Sequence, residues 1–239
     1  MDTLGVTYEL GHPAGISGDV SRQLHRPGEV AQRVRVGVGL AVGLLAGCDH
    51  AGITVTDHGR VTSRAGSDDL AARAGVIQQE VGQGPQVELA QSGNRTVFVA
   101  NLRVDPRWPR WATRMRQELG VHAVLSLLLH THDESVGVLN LYADQVDAFS
   151  TEDFATAQSL ATHLAVAVAD GQEIARQGQR MIDNTVLGQA EGILMQRYSI
   201  GAQEAIAMLA RVSHDAHRTP LQIAQDFVHT RTLPGYCYR

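Results

Sequence analysis

At 239 residues, with 44% hydrophobic residues and a formal net charge of −5, the chain can build one large domain or two modest ones. That balance excludes an intrinsically disordered chain and a strongly basic one, and the longest apolar run, Val36 to Cys48, is too short to span a membrane. No charged leader followed by an apolar stretch opens the sequence, and the two cysteines, Cys48 and Cys237, form no CxxC, so a cytoplasmic protein is expected.

Residues 1–28 mix glycine and proline without steady periodicity and are expected to form an irregular extension. A helix follows from near Glu29, with Val34, Val38, Val42 and Leu45 on one face. "AGITVTDHGRVTSRAGS" alternates apolar and polar residues on both sides of Asp57-His58-Gly59, the pattern of a hairpin. A helix from about Ser67 to Val81 ends at "GQGP", "RTVFVAN" reads as a short strand, and "WPRWATRMRQELG" as a helix stopped by Gly120. "HAVLSLLLHTHDESVGVLNLYAD" gives two strands, the first so apolar that it is expected at the centre of a sheet. A long helix starts at "FSTEDF", where Ser150 and Asp153 make a capping box.

Along that helix Leu164, Ile174, Met181 and Ile182 belong to a heptad-like stripe that outlasts the core of the first domain. A short two-stranded coil that makes a homodimer is expected there, with a plain connecting helix as the alternative. Three short helical patterns come after Asn184. The first spans about Thr185 to Arg197. The second has Gly201 at its cap and Glu204 at N3; the third has Thr219 as N-cap, Pro220 at N1 and Gln222 at N3.

The phrases "CDHAGITV", "QQEVGQGP", "DPRWPRW", "GVHAVLSLLL", "VGVLNLYA" and "FSTEDFATAQSLATHLAVAVA" resemble the GAF sensor domains of actinobacteria. "LGQAEGILMQRY" and "AQEAIAMLARVSHDAHRTPLQIAQDFV" are similar to the ANTAR domain, an RNA-binding module of transcription antiterminators. The resemblance implies an α+β GAF domain, an antiparallel sheet with flanking helices, followed by a long dimerising helix and a small three-helix ANTAR bundle. The expected limits are 29–170 for the GAF domain, 171–184 for the linker helix, 185–233 for the ANTAR domain and 234–239 for a tail. It also implies a non-enzymatic regulator that binds hairpin loops in nascent leader RNA and prevents terminator formation, under control of the GAF domain. The sequence departs from the family pattern at Glu191, where lysine is common, at His217, where asparagine is, and at Gln86, where cysteine is. The alternative is a GAF sensor of a small molecule or partner protein whose helical module serves protein interaction.

Within "LGQAEGILMQRY", Val186, Leu187, Ala190, Ile193 and Leu194 fall in one arc suited to a bundle core. Gly188, Gly192 and Met195 form a separate stripe, flanked by Gln189 and Gln196. That stripe suits either a close-packed neighbouring helix or RNA, with Gln189 and Gln196 reading base edges over Gly192. Arg197 is the first-helix candidate for a phosphate. Ser213, His217, Arg218 and Thr219 surround the entry to the third helix, whose N-terminal end favours anions. From Gln172 onward there are seven arginines against six acidic residues, a net of +1, so RNA affinity would depend on placement.

In the sensor, Cys48, Asp49, Gln79, Arg103 and Trp108 are the candidate pocket for an unidentified small-molecule or protein signal. No cofactor is expected. His130 and His132 have no third ligand at metal-site spacing, and Cys48 lacks a base and orienter for nucleophilic chemistry.

Overall fold

The computed structural model describes residues 22–24, 29–132 and 134–235. The expected extension lies outside these residues except for Arg22 to Leu24, which are helical, and Leu24 is buried in the first core. Of the expected tail, only Pro234 and Gly235 are described.

The elements are α1 (Val30–Leu44), β1 (His50–Asp57), β2 (Arg60–Gly66), α2 (Asp69–Val81), α3 (Pro85–Ser92), β3 (Thr96–Val99), α4 (Pro109–Leu119), β4 (Ala123–His130), β5 (Ser135–Ala143), α5 (Thr151–Tyr198), α6 (Ala202–Asp215) and α7 (Pro220–Thr230). They divide into two compact units with the boundary between Gln172 and Glu173, inside α5.

The first unit is built on an antiparallel sheet of order β2-β1-β5-β4-β3. The β1–β2 hairpin turns at His58 and Gly59 with φ of 49° and 76°, the two left-handed residues that match the twist of a two-residue loop. β5 occupies the centre, so β4, expected there for its apolar run, is instead the inner strand between β5 and β3. Both strands are covered on both faces, which favours apolar residues along each of them. On one face Ile53, Leu125, Leu139 and Leu141 pack with Val34 and Val38 of α1 and Leu160, Leu164 and Val168 of α5. On the other, Val124, Val138 and Tyr142 pack with Ile77 of α2, Leu89 of α3, and Trp111 and Met115 of α4. On that second face the buried Ser126 Oγ donates to Asn140 Oδ1 at 2.7 Å.

The structure adds α3 to the elements that the sequence pattern shows. Its start, Gly84 at the N-cap and Pro85 at N1, lies in the "GQGP" that reads as the end of α2. α2 begins two residues later than expected, because Asp68 rather than Ser67 is its N-cap, accepting from the Ala71 amide at 2.8 Å. At the start of α5 the Ser150–Asp153 box closes both ways: the Ser150 amide donates to Asp153 at 2.9 Å, and the Asp153 amide to Ser150 Oγ at 3.2 Å.

Asp68 also ties β1 to α2, with its Oδ2 2.5 Å from His50 Nδ1. Burial opposes the imidazolium, but the carboxylates of Asp68, Asp144 and Asp49 outweigh it and hold His50 above its ordinary value of 6.5. Burial likewise opposes the Asp68 carboxylate, while the Ala71 amide and His50 hold it below 3.8. A raised histidine pKa adds stability that is complete below the unfolded value and lost as pH rises through the folded one. The advantage in melting temperature of the native chain over His50→Gln should therefore be full near pH 5.5 and shrink as pH rises past 6.5. Thermal unfolding at a series of pH values checks this; an advantage that does not vary with pH would rule out His50 as the titrating group.

The second unit is a three-helix cluster. Ala190 and Leu194 of α5 meet Ala205, Leu209 and Val212 of α6 and Ile223, Ala224 and Phe227 of α7, with Leu233 closing the end. Its first helix is not a separate element. The pattern expected over Thr185–Arg197 is the last part of α5, which runs 48 residues without interruption.

Candidate functional site

The α6–α7 corner brings together Ser213, His217, Arg218 and Thr219, which share an open concavity of about 500 Å³ with Ala210, His214, Pro220 and Gln222. Two hydrogen bonds shape the corner. Ser213 Oγ donates to the Arg218 carbonyl, and the Arg218 amide donates to the Ser213 carbonyl at 3.0 Å. Ser213, expected among the RNA contacts, is buried here and brackets the turn. Between the brackets His217 has φ 51°, a left-handed conformation in which asparagine and histidine are enriched among non-glycine residues. The turn presents the exposed His217 and Arg218 side by side.

The start of α7 is capped by its own chain. Thr219 Oγ1 accepts from the Gln222 amide at 3.2 Å, and Gln222 Oε1 accepts from the Thr219 amide at 3.1 Å. Pro220 has no N–H to offer. Few backbone donors are left for an anion here, so Thr219 shapes the corner and its charge comes from Arg218. One Arg218 nitrogen is 2.7 Å from Asp226 Oδ2, six residues into α7. The fork of a guanidinium has five N–H donors, and an exposed ion pair of this kind is worth about 0–1 kcal/mol, so a phosphate can compete for it.

Arg197, the first-helix candidate for a phosphate, is exposed and makes contacts within its own unit. Its Nη1 donates to the Arg231 carbonyl at 2.7 Å, and its guanidinium stands 5.7 Å from the centre of the Phe227 ring. Arg231 is the left-handed C-cap of α7, so Arg197 ties α5 to the end of that helix. Gln189, Gly192 and Gln196 are exposed, and a Cβ added at Gly188 or Gly192 would meet nothing within 4 Å. No described part of the chain packs on that stripe.

The candidate sensor pocket does not assemble. Cys48 belongs to the core on the α1 and α5 face of the sheet, Trp108 to the core on the opposite face, and Gln79 and Arg103 are exposed. Asp49 accepts from the Asp144 amide at 2.9 Å. Trp108 lines a shallow space of about 340 Å³ with residues of the α2–α3 turn and α3, and none of the other four joins it. The interior between the sheet and α2, α3 and α4 is filled by Ile77, Trp111, Met115 and Tyr142, all but inaccessible to solvent. Gln86 is held there too, its amide donating to Gln78 Oε1 at 2.9 Å. Burial pushes the Cys48 thiol up to about 12, so it is protonated at neutral pH and a poor nucleophile. Among the described residues no three metal-ligating side chains stand together, and no helix is long and apolar enough to cross a membrane.

The antiparallel α+β unit runs through one helix, α5, into a small helical module. The GAF domain family model matches residues 29–169 and the ANTAR domain model residues 178–228. The chain belongs to the GAF domain family and carries an ANTAR domain behind it, the make-up of a signal-transduction regulator of transcription antitermination. Both domains are regulatory rather than catalytic. Among solved structures it is similar to the GAF domain of a phosphoenolpyruvate-protein phosphotransferase from Coxiella burnetii, 18% identical over 66% of this chain and 94% of that one, with a TM-score of 0.48. It is also similar to a GAF domain/HD domain protein from Geobacter sulfurreducens, 13% identical over 61% and 95% of the two chains, with a TM-score of 0.49. No curated protein matches the chain.

Proposed function

We propose that the protein binds hairpin loops in nascent leader RNA through its ANTAR domain and prevents terminator formation, under control of the GAF domain. The observation that supports this reading is the α6–α7 corner, where His217 and Arg218 are exposed together on a bracketed turn beside a concavity wide enough for an unstacked base. In this reading Arg218 meets phosphate and His217 stacks on a base. The protein acts in the cytoplasm as a homodimer, so that two weakly charged modules engage paired loops together. The filled interior of the sensor favours a signal that docks on its surface, a partner protein before a small enclosed ligand.

The test is a gel shift with a two-hairpin leader RNA. Arg218→Ala should weaken binding and lower the salt slope by about 0.7, the loss of one phosphate contact on a single strand. Asp226→Asn should act the other way and strengthen binding, because it releases the Arg218 guanidinium. If neither variant changes affinity, the corner is not the RNA contact. Absence of binding by the native dimer at low salt would favour the alternative, a module for protein interaction.

A further inference from the structure

Two polar side chains beside the corner each have one end fixed by the backbone, and the fixed end decides what the other can do. The Thr219 amide donates to Gln222 Oε1 at 3.1 Å. A backbone N–H can only donate, so it must face the oxygen of the side-chain amide, and Nε2 is turned away from it. The two N–H donors on Nε2 have no partner among the described residues. In the same way the Gln222 amide donates to Thr219 Oγ1 at 3.2 Å, which takes up a lone pair and keeps the hydroxyl hydrogen for a further acceptor. Both side chains line the concavity of about 500 Å³ that His217 and Arg218 border.

The acceptors of the corner are engaged within the chain. Ser213 Oγ, itself buried, donates to the Arg218 carbonyl, and the carbonyls of Ser213 and His214 accept from the amides of Arg218 and His217. The Thr219 carbonyl accepts from the Ile223 amide. The nearby carboxylates do not line the space: Asp226 pairs with Arg218, and Asp215 stands 3.5 Å from His214 Nδ1. The imidazoles of His214 and His217 donate or accept according to tautomer, so they do not discriminate. The groups of fixed role around the concavity are therefore donors, and Gln222 Nε2 is the uncharged one with two hydrogens to place.

We propose, on the RNA reading above, that Gln222 selects the base held in this concavity, and that it selects a keto base, guanine or uracil, over an amino base, adenine or cytosine. Guanine O6 and uracil O4 accept hydrogen bonds, whereas adenine N6 and cytosine N4 carry hydrogens of their own. With the base stacked on His217 and its phosphate at Arg218, the Nε2 donors meet O6 or O4. An exocyclic amine in that place sets N–H against N–H and leaves both without the partner that water gave them. One such bond made or refused separates the two classes of base by about tenfold. Arg218, holding phosphate, supplies attraction without preference among bases.

Selection from a pool of two-hairpin RNAs with randomised loops, run on the full chain and on two variants, tests this. The native chain should enrich guanine or uracil at one unpaired position by about tenfold. Gln222→Glu keeps the cap of α7, because Thr-x-x-Glu is itself a capping box, but turns the free end from donor to acceptor. It should reverse the preference at that position to adenine or cytosine and leave the other loop positions as they were. Gln222→Leu, which has neither donor nor acceptor and adds no charge, should level the four bases there, and it decides the matter if the added carboxylate weakens binding too far for selection. A side chain that only capped the helix would move no base ratio in the glutamate variant. The same base enriched by the native chain and by the variants overturns the proposal, as does an amino base at the position that the leucine variant levels. If the native chain enriches no loop sequence, the RNA reading falls and this assignment with it; if it does and the ratios ignore Gln222, only this assignment falls.

Discussion

Replacing Phe227 by alanine should unfold the second unit and leave the first one standing. The ring is fully buried where all three helices of that unit meet, against Ala190 and Leu194 of α5 and Leu209 and Val212 of α6. Truncating a buried phenylalanine to alanine costs about 3–5 kcal/mol. At about 0.05–0.15 kcal/mol per residue, a unit of this size holds only about 3–10 kcal/mol in all. The change also removes the ring under the Arg197 guanidinium, a contact worth about 0.5–1 kcal/mol at an exposed site. Circular dichroism should lose the signal of α6 and α7, hydrogen exchange should lose protection over residues 202–230, and the sheet should keep its protection. Phe227→Leu, which preserves most of the volume, should retain the unit at reduced stability. Full protection of α6 and α7 in the alanine variant would show that Phe227 is not the keystone of this core.

Local signals were the legible part of this molecule. The Ser150–Asp153 and Thr219–Gln222 boxes, the His58-Gly59 turn and the Gly120 stop each involve residues at most three apart, and the structure forms all four. What stayed hidden depends on partners distant along the chain. Arg197 looks like a free cation until α7 returns the Arg231 carbonyl to it from 34 residues away. Leu164 fits the same heptad as Ile174 and Met181, but it is fully buried against α1, where glycine at 37 leaves it room, so it takes no part in a dimer seam. The seam starts only once α5 has passed the sheet. The five pocket candidates are spread over sixty residues of chain, and the sheet puts Cys48 and Trp108 on opposite faces. α3 leaves no separate mark in the sequence, because Gly84 and Pro85 suit the end of one helix and the start of the next equally well.

The same distinction between open and crowded glycines gives the largest expected effect in the first unit. Gly137 lies in β5, the central strand, paired with Val55 of β1 on one side and Leu129 of β4 on the other. Its φ is 156°, and a Cβ built there would stand 2.2 Å from the Thr54 carbonyl oxygen and 3.1 Å from Val55 Cα. Both obstacles are backbone, so no side chain can swing aside. Gly137→Ala must either part β1 from β5 or push β5 toward β4, and each breaks ladder hydrogen bonds in the middle of the sheet. Backbone strain of about 1–3 kcal/mol adds to overpacking of about 1–3 kcal/mol, giving a loss of about 2–6 kcal/mol. Gly39 in α1 is the control. It is exposed with nothing within 4 Å of its Cβ, so Gly39→Ala should stabilise the same unit by up to about 1 kcal/mol. Chemical denaturation followed by tryptophan fluorescence reads both, since Trp108 and Trp111 lie in this unit. Opposite signs at the two glycines are expected, and a Gly137→Ala chain as stable as the native one would mean that β1 and β5 are not held as closely as their register requires.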